Sequence, residues 1–142
     1  ATLSNENELV RQSLHDFGLN LGIAFQMVDD ALDYDGDPET MGKNVGDDFR
    51  ERKMSLPVIR AIAAASDTER AFWARTIGKG DQRDGDLEQA LGMLHSHGTL
   101  ESTRVEANAY VANAKAALAD LPDDPIRGML SDLADYVVAR LN

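Results

Sequence analysis

Three carboxylates stand close together in Asp29-Asp30-Ala31-Leu32-Asp33. On a helix, at roughly 100° per residue, Asp33 falls about 40°, Gln26 about 60° and Asp30 about 100° from Asp29, so four polar groups share one quadrant. Carboxylates at i, i+1 and i+4 repel one another, and a divalent cation turns that liability into an attraction. Magnesium takes oxygen ligands, accepts only one or two carboxylates and leaves its other positions to water and substrate phosphates. Asp29 and Asp33, one turn apart on one face, can reach a single ion. The plain alternative is a solvated acidic face, in a chain with 25 Asp and Glu.

The flanking residues favour the metal. From Asp29 to Asp48 there are eight acids and one base, Lys43, and Arg50, Arg52 and Lys53 follow at once. An acidic helix end followed by isolated lysines in a glycine-bearing loop suits a metal-bridged diphosphate, with metal on one side and ammonium groups on the other. A calcium loop opening at Asp33 fails on its own pattern. Its sixth position would be Pro38 instead of glycine and its twelfth Asn44 instead of glutamate.

These groups must be positioned by helices. Alanine and leucine richness and the spacing of apolar residues predict an all-α chain. The first helix is expected from Ser4 or Asn5 to about Tyr34, with Leu14, Phe17, Leu21, Phe25, Val28 and Leu32 as its core stripe. Gly18 and Gly22 lie on the carboxylate side and leave bare backbone, where substrate or another helix is expected to come close. A long loop with Gly36, Pro38, Gly42 and Gly46 spans Asp35 to Ser55. Ser55-Leu56-Pro57 predicts a helix start capped by Ser55, with Val58, Ile59, Ile62 and Ala63 buried and an end near Ser66. Asp67-Thr68 is expected to cap the next helix, which Gly78-Lys79-Gly80 ends. Asp84 or Asp86 opens another, up to Gly98, with Leu87, Ala90, Leu91 and Leu94 at helical spacing. A longer helix covers Thr99 to Leu121, Pro122 to Pro125 breaks it, and Ile126 to Leu141 closes the chain with Met129, Leu130, Leu133 and Val137 on one face.

The balance of 14 Lys and Arg against 25 acids leaves a net charge of −11, which argues against binding nucleic acid or anionic lipid by bulk charge. Without cysteine there is no disulfide, thiolate zinc site or cysteine nucleophile. Apolar runs are far short of the ~20 residues a spanning helix needs, and Ala1 to Glu8 has no export pattern, so a soluble chain is expected. A length of 142 residues suits one domain. His15, His95 and His97 are scattered, and Phe72-Trp73 reads as packing.

Taken in order, Gly22-Ile23-Ala24-Phe25-Gln26, Asp29-Asp30-Ala31-Leu32-Asp33, Gly42-Lys43-Asn44-Val45-Gly46-Asp47-Asp48 and Lys53-Met54-Ser55-Leu56-Pro57 resemble the trans-isoprenyl diphosphate synthases. The resemblance is closest to the C-terminal half of long-chain, octaprenyl or decaprenyl type enzymes, and continues weakly through Gly98-Thr99-Leu100-Glu101, Tyr110, Leu121-Pro122, Arg127 and Tyr136-Val137. It implies a partial isoprenoid-synthase bundle, a cytoplasmic prenyltransferase, and Mg²⁺ bridging the diphosphate of an allylic substrate that is extended with isopentenyl diphosphate. Asp29 and Asp33 would be direct ligands, Asp30 a partner through water, Lys43 and Lys53 the diphosphate-binding amines, and Gln26 a wall of the site near the developing allylic cation.

The family's first aspartate-rich motif, its following arginine pair and its isopentenyl-binding residues have no counterpart here. The expectation is therefore a part of the enzyme with little turnover alone. Apolar surface left open by missing helices predicts a homo-oligomer. A non-catalytic helical subunit that binds and regulates a prenyltransferase is the competing reading. It predicts degenerate acids or lysines, whereas all three aspartates and both lysines are intact.

Overall fold

The computed structural model describes residues 2–35 and 45–141, and within them the chain is helical without a strand. The order is α1 (Thr2–Asp35), a one-turn α2 (Asp47–Arg50), α3 (Leu56–Ala64), α4 (Asp67–Trp73) running into a π-helical turn (Ala74–Gly78), α5 (Asp86–Ser96), α6 (Thr99–Ala117) ending in a 3₁₀ turn (Leu118–Asp120), and α7 (Pro125–Ala139). The helical class and most breakers follow the sequence expectation. Lys43, Gly36, Pro38 and Gly42 lie outside the described residues.

Several local expectations change. The loop between Asp35 and Ser55 contains α2, opened by Gly46 at φ 82° with Asp47 and Asp48 in its first turn, where carboxylates suit the exposed amides. A Cβ on Gly46 would overlap the Leu87 side chain, so glycine serves both the left-handed backbone and the close approach. Ser55 makes no side-chain cap on α3. Ser66, rather than Asp67 or Thr68, caps α4: its hydroxyl accepts the Glu69 N–H while the Glu69 carboxylate accepts the Ser66 N–H. Asp86, not Asp84, begins α5, after Gly85 at φ 87°. Asp124 caps α7 by accepting the Ile126 and Arg127 amides.

The chain divides into two compact units, Ala1–Val28 with Val105–Asn142, and Asp29–Arg104. The second holds the core that matters for the site. Phe49 stacks on Phe72 with centroids 6.4 Å apart, and Trp73 meets both rings edge-on at 6.4 and 5.2 Å. Tyr34, Val58, Ala61, Ala65, Ile77, Ala90, Met93, Leu94 and Leu100 complete this cluster. The packing expected of Phe72-Trp73 is thus present. Ile59 and Ala63, expected to be buried, are exposed, and the α3 core face is Pro57, Val58 and Ala61.

The first unit buries mostly small side chains: Phe17, Ala24 and Val28 of α1, Ala107, Val111 and Ala114 of α6, and Ala134 and Val137 of α7. Of the stripe expected on α1, Phe17, Val28 and Leu32 are buried. Leu14 and Phe25 are 44% and 46% exposed, and Arg140 lies 5.5 Å over the Phe25 ring. No atom comes within 4 Å of a Cβ built on Gly18 or Gly22, so the close approach expected there is not made by the described residues. Lys115 pairs with both oxygens of Asp135 at 2.8 Å. No helix among the described residues is long and apolar enough to cross a membrane.

Candidate functional site

The last turns of α1 carry Asp29, Asp30 and Asp33, all half-buried. Asp33 is the anchor on which the chain docks when it returns at residue 45. Its backbone carbonyl accepts the Gly46 N–H at 2.8 Å, and its carboxylate Oδ2 accepts the Asp48 N–H at 3.0 Å. The second bond satisfies a free amide in the first turn of α2 and brings the Asp47 and Asp48 carboxylates to Asp33.

Asp30 makes a comparable bond. Its Oδ2 accepts the Leu56 N–H at 3.1 Å, the first amide of α3, so a carboxylate 26 residues upstream does what Ser55 was expected to do. Lys53 completes the group. Its Nζ donates to Asp48 Oδ1 at 2.8 Å and to Glu51 Oε2 at 2.9 Å, and its backbone N–H donates to the Asp48 carbonyl at 2.8 Å. Arg50 is held apart from the amine by its own bond to Asp47 at 2.8 Å.

The electrostatics single out Asp33. Burial, and then the neighbouring Asp48 and Asp47 carboxylates, push its carboxyl up to about 6 from an ordinary 3.8, although the Asp48 N–H and the Lys53 ammonium oppose the rise. Loss of solvent is the leading cause, and like charge adds to it. Lys53 is raised as well, here favouring the charged form: its bonds to Asp48 and Glu51 hold the ammonium above its ordinary range. Asp33 thus sits beside two carboxylates that are themselves ion-paired, Asp48 with Lys53 and Asp47 with Arg50.

The structure brings Asp30, Asp33 and Lys53 to one region with Asp47 and Asp48. Gln26 is exposed and belongs to the other unit, Ala1–Val28 with Val105–Asn142. Among the described residues no group of three or more His, Asp or Glu is gathered tightly enough to hold a metal ion by itself. Magnesium in general takes only one or two protein carboxylates and fills its other positions with water and phosphate oxygens. The oxygen donors of Asp29 and Asp33 fit such an ion. Sequence reasoning missed the anchoring of Asp30 on Leu56. The only available signal was the free amide implied by the Leu56-Pro57 helix start.

Residues 1–94 match the polyprenyl synthetase family model. The chain belongs to the polyprenyl synthetase family. It is similar to a decaprenyl diphosphate synthase of known structure from Rhodobacter capsulatus, with 58% identity, a TM-score of 0.88, and coverage of 95% of this chain and 42% of that one. A polyprenyl synthase from Caulobacter crescentus, crystallised with calcium and isoprenyl diphosphate, is 48% identical with a TM-score of 0.82, over 90% of this chain and 39% of that one. The octaprenyl diphosphate synthase of Escherichia coli is 41% identical over 91% of this chain and 40% of its own length. The chain therefore spans about two fifths of the length of these relatives, and all-α architecture is common to the match.

Proposed function

We propose that this chain is the diphosphate-binding C-terminal part of a single-domain, cytoplasmic long-chain polyprenyl diphosphate synthase. The observation that carries the reading is the assembly at Asp33: a half-buried carboxyl raised to about 6, faced by Asp47 and Asp48 and approached by the Lys53 ammonium. Carboxylates gathered in this way at the end of a helix have their simplest use in holding a cation that itself holds an anion. The family membership, and a relative crystallised with a divalent cation and isoprenyl diphosphate, support the same reading.

In this proposal Asp29 and Asp33 hold Mg²⁺, and Asp30 keeps one oxygen on the Leu56 amide, stiffening the acidic turn against α3. When bound, the ion supplies positive charge at the diphosphate oxygens as the carbon–oxygen bond of the allylic substrate breaks. Lys53, and Lys43 from outside the described residues, hold the same diphosphate by charge-assisted hydrogen bonds. To do so Lys53 exchanges one of its carboxylate partners, Asp48 or Glu51, for a phosphate oxygen. Gln26 is kept in the proposal on the family resemblance alone. Isopentenyl diphosphate is held by residues beyond this chain, so the chain by itself turns over little or nothing. Self-association is part of the proposal, supported by an apolar row on α7, where Ile126, Met129, Leu133 and Tyr136 are 48–69% exposed.

The test is calorimetry of the full-length enzyme with a non-hydrolysable thiodiphosphate analogue of the allylic substrate. Binding that requires Mg²⁺ and is lost in Asp29→Ala supports the reading. Absence of metal-dependent binding leaves only the plain reading, an acidic helical interaction domain with a solvated acidic face.

A further inference from the structure

Lys53 emerges from a turn whose backbone is unusual. Arg52, directly before it, is the one non-glycine residue among those described with left-handed backbone, at φ 63°. An L side chain is disfavoured there, so the surroundings must hold it. They do so through the Arg52 guanidinium, whose Nε donates to the Ile77 carbonyl at 2.8 Å and whose Nη2 donates to the Gly78 carbonyl at 2.5 Å. Both carbonyls belong to the end of the π-helical turn, where acceptors lack partners along the helix.

The surface that receives Arg52 is itself tied down. Arg75, inside that turn, makes a two-bond pair with Asp86 at 2.8 Å and donates to the Asp81 carbonyl at 2.8 Å. Gln82 donates to the Phe49 carbonyl at 2.7 Å and to the Thr76 carbonyl at 3.3 Å. Gly80, at φ 74°, passes the guanidinium so closely that an added Cβ would lie 3.0 Å from Arg52 Nη1. Residues 74–86 therefore grip the turn 49–53 at two points, the Phe49 carbonyl and the Arg52 side chain. Within the turn, the Arg52 and Lys53 amides bond back to the Phe49 and Asp48 carbonyls at 3.0 and 2.8 Å.

We infer that Arg52 is a positioning residue: its clamp on the Ile77 and Gly78 carbonyls fixes the left-handed turn from which the Lys53 ammonium reaches the acidic site. The inference rests on the reading of Lys53 as a diphosphate-binding amine. Arg52 touches no substrate in this scheme. It converts the rigidity of a segment 25 residues away into a fixed origin for the amine.

The experiment titrates the full-length enzyme with Mg²⁺ and inorganic pyrophosphate in a calorimeter, for wild type, Arg52→Gly, Arg52→Lys and Lys53→Ala. Glycine adopts positive φ freely, so in Arg52→Gly the relief of strain offsets the lost bonds and the unfolding midpoint stays near that of wild type. The affinity for pyrophosphate nonetheless falls about tenfold, the scale seen when groups that orient a ligand are removed. Arg52→Lys, with one donor for the carbonyls, recovers part of it. Wild-type affinity in Arg52→Gly alongside lost affinity in Lys53→Ala overturns the inference and leaves the role of Lys53 standing. Wild-type affinity in Lys53→Ala overturns both. Should Arg52→Gly fail to fold, Arg52→Lys decides: full wild-type affinity with an altered unfolding midpoint makes Arg52 structural only.

Discussion

Asp33→Asn is the perturbation most revealing of why this site is built as it is. The carboxyl is raised from 3.8 to about 6, and one pKa unit is worth about 1.4 kcal/mol, so the ionised form carries a native-state penalty with a ceiling of roughly 3 kcal/mol. Asp33 is only half-buried, and solvent screening brings the figure to about 1–2 kcal/mol. The sign follows from the direction of the shift. Below pH ~4 the group is protonated in folded and unfolded chains alike and the native state bears no penalty. As pH rises through 6 the folded chain must hold a charge beside Asp48 and Asp47, and stability is lost. Asparagine keeps an Oδ1 to accept the Asp48 N–H and carries no charge. The variant should therefore be more stable than wild type by about 1–2 kcal/mol at pH 8, a gain of roughly 3–8 °C in unfolding midpoint for a chain of this size, and the gap should close between pH 6 and 4. Urea denaturation followed by circular dichroism across that range measures it. Millimolar Mg²⁺ should raise the wild-type midpoint and leave the variant unmoved. An Asp33→Asn protein less stable than wild type at pH 8, or a gap independent of pH, would show that the carboxyl is not strained and would remove the electrostatic argument for a cation.

Other expectations are simpler. Phe49→Ala, deleting a ring 2% exposed between Phe72 and Trp73, should cost about 3–5 kcal/mol by chemical denaturation and should also loosen Lys53, seen as weaker pyrophosphate binding. Ser66→Ala should cost about 1 kcal/mol through loss of the α4 cap, with ligand binding unchanged. The paired change Met129→Glu and Leu133→Glu, on residues 69% and 48% exposed, should reduce the sedimenting mass if α7 supports self-association, at little cost in helix content.

Helix existence was legible along most of the chain because breakers are local chemistry. Pro122 and Pro125 interrupt a helix wherever they occur, and Gly78-Lys79-Gly80 ends one. Which face of a helix is buried was less legible. On α1 the expected stripe is buried at Phe17, Val28 and Leu32 but not at Leu14 and Phe25, and Ala24, outside that stripe, has no exposed surface. Which side of a helix is buried depends on what the rest of the fold sets against it, which helical period alone does not give.

The site divides in the same way. Helical period alone places Asp29, Asp30 and Asp33 within about one turn of one another, and Lys53 is visible in the chain as a basic residue that follows them. Tertiary structure alone decided that Asp30 is spent on the Leu56 amide, that Asp48 faces Asp33, and that Arg52 grips carbonyls 25 residues away. Spacing determines neighbours within a helix turn. A carboxylate's proton affinity and an amine's direction depend on groups that only folding brings within a few ångströms, where desolvation and Coulomb terms are large.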